Sequence, residues 1–297
     1  MKILVTGATG QVGTDLVQVL AGITPRAGVA TALLGMDPVA PGEFDVMACG
    51  RVDLDITTTT AIEAVIESGR PDVVVNLAAY TKVDLAEDEP DLAYAVNEGG
   101  VATVARACER YGARLLHIST DYVFSGELGR PLCESDVPDP QSVYGASKFA
   151  GERHVHDGTV VRSSWIVGLG GRTVIDVAMA AAAEGRTLQF VADQVGTLTA
   201  SADLAAGLVA FVREPLSGVI HLAGSGEASW YEIIATALEM AGGSRDQVSP
   251  IATRELQPAQ RAKRPAYSPL ISERLGDRRL PAWQDGLERL IKAKQAS

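Results

Sequence analysis

Cysteine is sparse: three residues in 297, at 49, 108 and 133, which is too few and too scattered for a disulfide framework or a zinc cluster. Only four histidines are present, and the two that lie close together, His154 and His156, would point in different directions on a helix. No metal site is therefore expected. Long apolar runs are also missing: nothing reaches the ~18 uninterrupted apolar residues of a membrane span. Met1-Lys2-Ile3-Leu4-Val5 runs directly into a glycine loop with no charged leader or apolar segment, so the cytoplasm is the expected compartment and no membrane partner is expected. Positive charge is short, with 26 Lys and Arg against 37 Asp and Glu and a formal net charge of −11. Such a chain lacks the broad basic face that nucleic acid requires. An anionic small molecule would have to be held by local basic side chains or helix N-termini.

What is present is the balance of a soluble globular protein, 46% hydrophobic and 21% charged, long enough for one large or two closely merged domains. Repeats and low-complexity segments are absent, and disorder is expected only over Lys292–Ser297. In the first half, short apolar runs alternate with helical periodicity. Strands are expected at Lys2–Thr6, Asp72–Leu77, Arg114–Ser119 and Thr159–Arg162, and helices at Gln11–Ala21, Asn97–Tyr111 and Tyr144–His154. This alternation predicts an α/β fold, a doubly wound parallel sheet of the Rossmann type. The second half is less regular: helices at Thr173–Glu184, Ser229–Ala241 and Leu280–Ile291, a strand at Gly218–Leu222, and an extended basic stretch punctuated by Pro258, Pro265 and Pro269. The expected division is a nucleotide-binding domain over residues 1–163, to which 197–215 return, and a smaller α/β substrate domain over 164–297.

Gly7-Ala8-Thr9-Gly10-Gln11-Val12-Gly13 lies between a strand and a helix. Gly7 permits the tight turn, Gly10 lets backbone approach a pyrophosphate, and Gly13 lets the helix pack closely on the sheet. The helix N-terminus then offers N–H groups and partial positive charge to the phosphates. Leu33-Leu34-Gly35-Met36-Asp37 reads as the end of a second strand, where Asp37 would bind the adenosine ribose and favour NADH.

Tyr144 and Lys148 stand four apart on one expected helix face. A neighbouring ammonium stabilises phenolate, so the pair suits an acid catalyst and a ribose contact. Ser119-Thr120-Asp121-Tyr122 ends a strand, where ligands sit in open α/β sheets. Thr120 is placed to hydrogen-bond a substrate oxygen, with Asp121 and Tyr122 beside it.

Together these segments resemble the extended short-chain dehydrogenases/reductases and, among them, the dTDP-4-dehydrorhamnose reductase family. The resemblance also rests on Asn76-Leu77-Ala78-Ala79-Tyr80-Thr81, Val83-Asp84, Ala86-Glu87, Val123-Phe124-Ser125-Gly126 and Val143-Tyr144-Gly145-Ala146-Ser147-Lys148. In the second half it rests on Arg162-Ser163-Ser164-Trp165, Asp193-Gln194-Val195-Gly196, His221-Leu222-Ala223-Gly224-Ser225-Gly226 and Arg264-Pro265-Ala266-Tyr267-Ser268. It implies reduction of dTDP-6-deoxy-L-lyxo-4-hexulose to dTDP-L-rhamnose with NADPH or NADH. Thr120, Tyr144 and Lys148 would form the catalytic triad. Gly10, Gln11 and Val12 would meet the pyrophosphate, Asp53 and Leu54 the adenine, and Ala78, Ala79 and Tyr80 the nicotinamide side with Asn97 in support. Trp165 and Asp121 would touch the sugar nucleotide. Arg261, Lys263 and Arg264, the compact basic run of the second half, would hold its diphosphate. A homodimer is compatible with the resemblance.

Three departures bear on the sugar. Trp165-Ile166-Val167 stands where the family usually has Trp-Val-Tyr, Leu198 replaces a usual proline, and the segment before Asp53 is longer than usual. A 4-ketoreductase of another deoxysugar pathway is thus an alternative. The dehydratases of this superfamily typically carry Asp-Glu after the threonine, whereas Asp121 is followed by Tyr122. A regulatory subunit, as in the relative that serves methionine adenosyltransferase, would not need Tyr144 and Lys148.

Overall fold

The computed structural model describes residues 1–30, 37–276 and 278–296. The first half runs β1 (Lys2–Thr6), α1 (Gln11–Leu20), β2 (Asp45–Cys49), α2 (Thr59–Gly69), β3 (Val73–Asn76), α3 (Val83–Ala86), α4 (Pro90–Tyr94), a π-helical turn (Ala95–Gly100) and α5 (Val101–Tyr111). It continues with β4 (Arg114–Thr120), α6 (Val143–Glu152) and β5 (Thr159–Ser163). Beyond these come β6 (Ile166–Val167), α7 (Val174–Ala183), β7 (Leu188–Val191), β8 (Val195–Gly196), β9 (Thr199–Ala200) and α8 (Ser201–Arg213). The chain ends with β10 (Gly218–His221), β11 (Ala228–Ser229), α9 (Trp230–Met240), β12 (Val248–Ile251) and α10 (Trp283–Gln295). Helix α10 therefore continues past Lys292, where disorder was expected, and Lys294 there pairs with Asp176 of α7.

Six parallel strands form the main sheet in the order β10-β5-β4-β3-β1-β2. Both faces are covered, which is why its strands read as continuous apolar runs. Ile3 and Val5 of β1 pack with Leu16 and Leu20 of α1 and Leu204 and Leu208 of α8. Leu4, on the opposite face, packs with Ile62 and Ile66 of α2 and Val104 of α5. Strand order reverses between β1 and β3, so the loops leaving those two strands open a crevice at the sheet's carboxyl edge. The chain returns to this sheet late: α8 packs on α1, and β10 pairs with β5. A second apolar cluster joins α7, α9 and α10 through Ile175, Ile233, Leu238, Leu287 and Ile291.

The strand end expected at Leu33–Met36 lies outside the described residues, and the strand beside β1 is Asp45–Cys49. Asp37 is remote from its end: its carbonyl accepts a hydrogen bond from Arg213 of α8.

Candidate active site

The crevice is a cavity of about 650 Å³, floored by the loops after β1, β3 and β4 and walled by α6 and the segment leading into α7. Gly7, Gly10, Gln11 and Val12 line one end. Gly7 has φ +67°, and a Cβ there would lie 2.7 Å from the Ala78 nitrogen. A Cβ on Gly13 would sit 2.3 Å from the Gly7 carbonyl oxygen, so helix and turn touch as the spacing implied. A Cβ on Gly10 would meet only that carbonyl, at 3.3 Å, which leaves its other side open to a ligand. No side chain caps α1, so its first-turn N–H groups are free for an anion. This cradle fits a dinucleotide pyrophosphate.

The adenosine end corrects the reading of Asp37, which lines no part of the cavity. Asp53 is also turned away: its carboxylate accepts the Gly50 N–H at 2.9 Å and closes the turn after β2. Leu54 does line the cavity, joined by Arg51, a residue that the sequence reading passed over. Thr9 packs against Gly50, which sets the glycine loop directly beside the Arg51 turn.

Ala78, Ala79 and Tyr80 line the middle of the cavity. Asn97 does not, but it holds them. Its Oδ1 accepts the Tyr80 N–H at 2.9 Å, and its Nδ2 donates to the Tyr80 carbonyl at 3.1 Å and to Ser147 Oγ at 3.0 Å. Asn97 sits in the π-helical turn, whose extra residue aims this fully buried side chain across to the loop.

Thr120, Asp121, Tyr122, Tyr144 and Lys148 converge on the same cavity. The Thr120 hydroxyl accepts the Tyr122 N–H and lies 3.1 Å from Asp121 Oδ1. The Tyr122 and Tyr144 rings meet edge to face at 5.4 Å. Lys148 is buried and donates to the Ile118 carbonyl at 2.6 Å. Burial lowers its pKa to about 8. The expected lowering of the Tyr144 pKa by Lys148 is not what the geometry gives. Burial pushes the phenol up to about 12 and outweighs a hydrogen bond from Thr120. Burial likewise raises the Asp121 carboxyl to about 6, although the Ser268 hydroxyl donates to it at 2.6 Å.

Trp165 lines the far end with φ 43°, a left-handed conformation rare for a bulky side chain, and stacks on Trp230 with centroids 4.3 Å apart. Val167 lines the cavity too, whereas Leu198 is buried behind it beside Val167 and Ile175. The basic run assigned to the diphosphate is already engaged. Arg264 forms two hydrogen bonds to Asp84, at 2.9 and 2.7 Å, Arg261 pairs with Asp88, and Lys263 with Glu127. None of the three lines the cavity; Arg172, just before α7, does. An arginine after two glycines in a loop gave no sequence signal of its place in the cavity.

Comparison with known proteins agrees with this geometry. A family model described as the RmlD substrate binding domain matches residues 1–296. A dTDP-4-dehydrorhamnose reductase of Streptomyces griseus is 38% identical, covering 91% of this chain and 86% of its own. A dTDP-4-keto-6-deoxy-D-glucose reductase of Streptomyces niveus is 37% identical, over 90% and 87%. The crystal structure of a Bacillus anthracis dTDP-4-dehydrorhamnose reductase in complex with NADP superposes with a TM-score of 0.87 at 33% identity, covering 98% of each chain. With the family model spanning nearly every residue and the Thr120, Tyr144 and Lys148 constellation standing in the cavity, the chain belongs to the dTDP-4-dehydrorhamnose reductase family.

Proposed function

We propose that the protein is a reductase that uses NADPH to convert the 4-keto group of a dTDP-linked 6-deoxyhexulose to an alcohol, with dTDP-6-deoxy-L-lyxo-4-hexulose as substrate and dTDP-L-rhamnose as product. The observation that carries this reading is the convergence of Thr120, Tyr144 and Lys148 on a cavity that begins at an uncapped helix N-terminus. A Bacillus anthracis relative of the same fold is described in complex with NADP, which supports this choice of coenzyme.

Bound there, the reduced nicotinamide supplies the hydride. The residues of the chain bind, orient and protonate. Tyr144 donates a proton to the C4 oxygen as negative charge grows on it. Its raised pKa suits that direction, because a phenol held near 12 carries its proton throughout the neutral range. Thr120 hydrogen-bonds the same oxygen and fixes the carbonyl, and Lys148 adds positive charge close by. Asn97 acts through Tyr80 and holds the loop against which the coenzyme lies. Arg51, just after β2, takes the 2′-phosphate of NADPH; Asp55 lines the same end, with its Oδ1 accepting from the Thr57 N–H and hydroxyl. The Trp165 and Trp230 stack receives the sugar nucleotide, and Arg172 its diphosphate.

Val167, where a tyrosine is usual in the family, enlarges the sugar end of the cavity and favours a second reading, a related 4-keto sugar. Product analysis decides between them. The enzyme is incubated with NADPH and dTDP-6-deoxy-L-lyxo-4-hexulose, and the product is identified by NMR. dTDP-L-rhamnose is expected. Its C4 epimer, or turnover only with another 4-keto sugar, would move the assignment to the second reading. No turnover of any 4-keto sugar would overturn both.

A further inference from the structure

The sheet face beneath Lys148 carries a polar row where core strands ordinarily present apolar side chains. Thr6 on β1, Asn76 on β3 and His117 on β4 are aligned in register, and none is exposed to solvent. Two residues earlier on the same face stand Leu4, Val74 and Leu115, all packed in the apolar cluster with α2 and α5. The Thr6 and Asn76 side chains are 2.6 Å apart, the Asn76 amide is 3.1 Å from His117 Nδ1, and His117 Nε2 is 3.4 Å from Lys148 Nζ. The row thus ends on an amine that lines the cavity.

His117 is neutral: burial first, then the charge on Lys148, holds its pKa well below the usual value. A neutral imidazole has one donor and one acceptor nitrogen, and its neighbours choose between them. An ammonium only donates, so beside it Nε2 is the bare nitrogen and Nδ1 bears the proton. The structure sets the Asn76 amide with Oδ1 accepting from the Thr6 hydroxyl and Nδ2 facing His117 Nδ1; turned over, the amide lets Nδ1–H donate to its oxygen while its NH2 donates to the Thr6 hydroxyl. A half-turn of the amide gives this order and keeps both contacts.

We propose that His117 is a positioning residue for Lys148: as a neutral, Nδ1-protonated imidazole backed by Asn76 and Thr6, it accepts a hydrogen bond from the Lys148 ammonium and keeps that charge in place in the active site. This rests on the reductase reading for the role of Lys148, but not for the hydrogen bond itself. The other titratable or charged groups around Lys148 are Tyr144 and Glu152 on its own helix, Asp121 after β4, and Arg162 of β5, which is paired with Glu152. Among them Glu152 favours the ammonium, while burial opposes it. An acceptor at Nε2 adds to the side of the charge, so its loss lets Lys148 deprotonate at lower pH.

Two variants and one spectrum test this. In His117→Phe, which fills the space without a hydrogen bond, kcat should fall about ten-fold or more. The alkaline limb of its pH profile should move to lower pH, with the KM for NADPH little changed. His117→Gln, which retains an acceptor, should recover most of the rate and the wild-type limb. Side-chain ¹⁵N spectra of the wild type at pH 7, with His117→Gln to assign the signal, should show Nδ1 protonated and Nε2 bare. A folded His117→Phe enzyme with wild-type kcat and limb would overturn the proposal, and so would an Nε2-protonated or cationic His117. The spectrum needs no substrate, so an enzyme without turnover but with the expected tautomer would count against the reductase reading alone. If the Phe variant does not fold, the Gln profile and the spectrum still decide.

Discussion

Arg51 and Asp37 show how much one residue's placement decides. An acidic residue after an apolar pair suggested a ribose ligand and NADH, but Asp37 lies outside the cavity and Arg51 stands at the true end of β2. Replacing Arg51 with Ser should lower the kcat/KM ratio of NADPH over NADH by about ten-fold or more, since a charge-assisted phosphate contact is worth roughly 1.5–3 kcal/mol. An unchanged ratio would remove Arg51 from the coenzyme site. Asp121 gives a second test at this scale. Its folded pKa, about 6, lies above the ordinary 3.8 because the carboxyl is buried. The folded state therefore holds this proton more tightly than the unfolded chain does, and the associated stability is lost as pH rises from about 4 through 6. Thermal midpoints of wild type and Asp121→Asn, measured from pH 4.5 to 7.5, should show the wild type losing ground to the variant as pH rises. A constant difference would mean that Asp121 is not buried as a shifted acid. The convergence of Thr120, Tyr144 and Lys148 on one cavity was legible in the sequence, because four-residue spacing on a helix and a strand-end threonine are local patterns. Arg51, Arg172 and the commitment of Arg264 to Asp84 were not, because each depends on contacts between segments far apart in the chain.

At the scale of elements, α6 is fixed from below by a buried ion pair. Arg162 of β5 meets Glu152 through two hydrogen bonds, at 2.9 and 2.7 Å, with both side chains almost wholly buried. Glu152 lies one turn beyond Lys148, so the pair sets the seat of the helix that carries Tyr144 and Lys148. Removing one partner leaves an uncompensated buried charge, and Glu152→Ala should cost about 3–5 kcal/mol in chemical denaturation. A loss below about 1 kcal/mol would show that α6 is held by its apolar contacts alone. The π-helical turn at Ala95–Gly100 is the counterpart on the coenzyme side. Asn97→Ala should raise the KM for NADPH more than it lowers kcat, because Asn97 touches the Tyr80 backbone and not the cavity. The helix and strand alternation of the first half was readable from apolar periodicity. The π turn was hidden inside what reads as one helix, and β2 is a five-residue edge strand, half-buried at Val46, Met47 and Cys49, whose apolar run is too short to stand out from the long segment before it.

At the scale of the molecule, the six-stranded parallel sheet places the reversal of strand order where both the glycine loop and the Ala78–Tyr80 loop emerge. The late return of α8 and β10 could be anticipated only in part, since β10 pairs with a strand more than fifty residues earlier. A ligand that binds only the folded chain stabilises it by about 2.7 kcal/mol at a hundred times its Kd. NADPH should therefore raise the thermal midpoint at lower concentrations than NADH does. Loss of NADPH absorbance with dTDP-6-deoxy-L-lyxo-4-hexulose, followed for wild type and Tyr144→Phe side by side, tests whether the protein is a 4-ketoreductase. Rapid oxidation by the wild type, reduced by a factor of about 10² or more in the variant, is the expected result. Equal rates in the two proteins, or no oxidation by a wild type that binds NADPH, would contradict it.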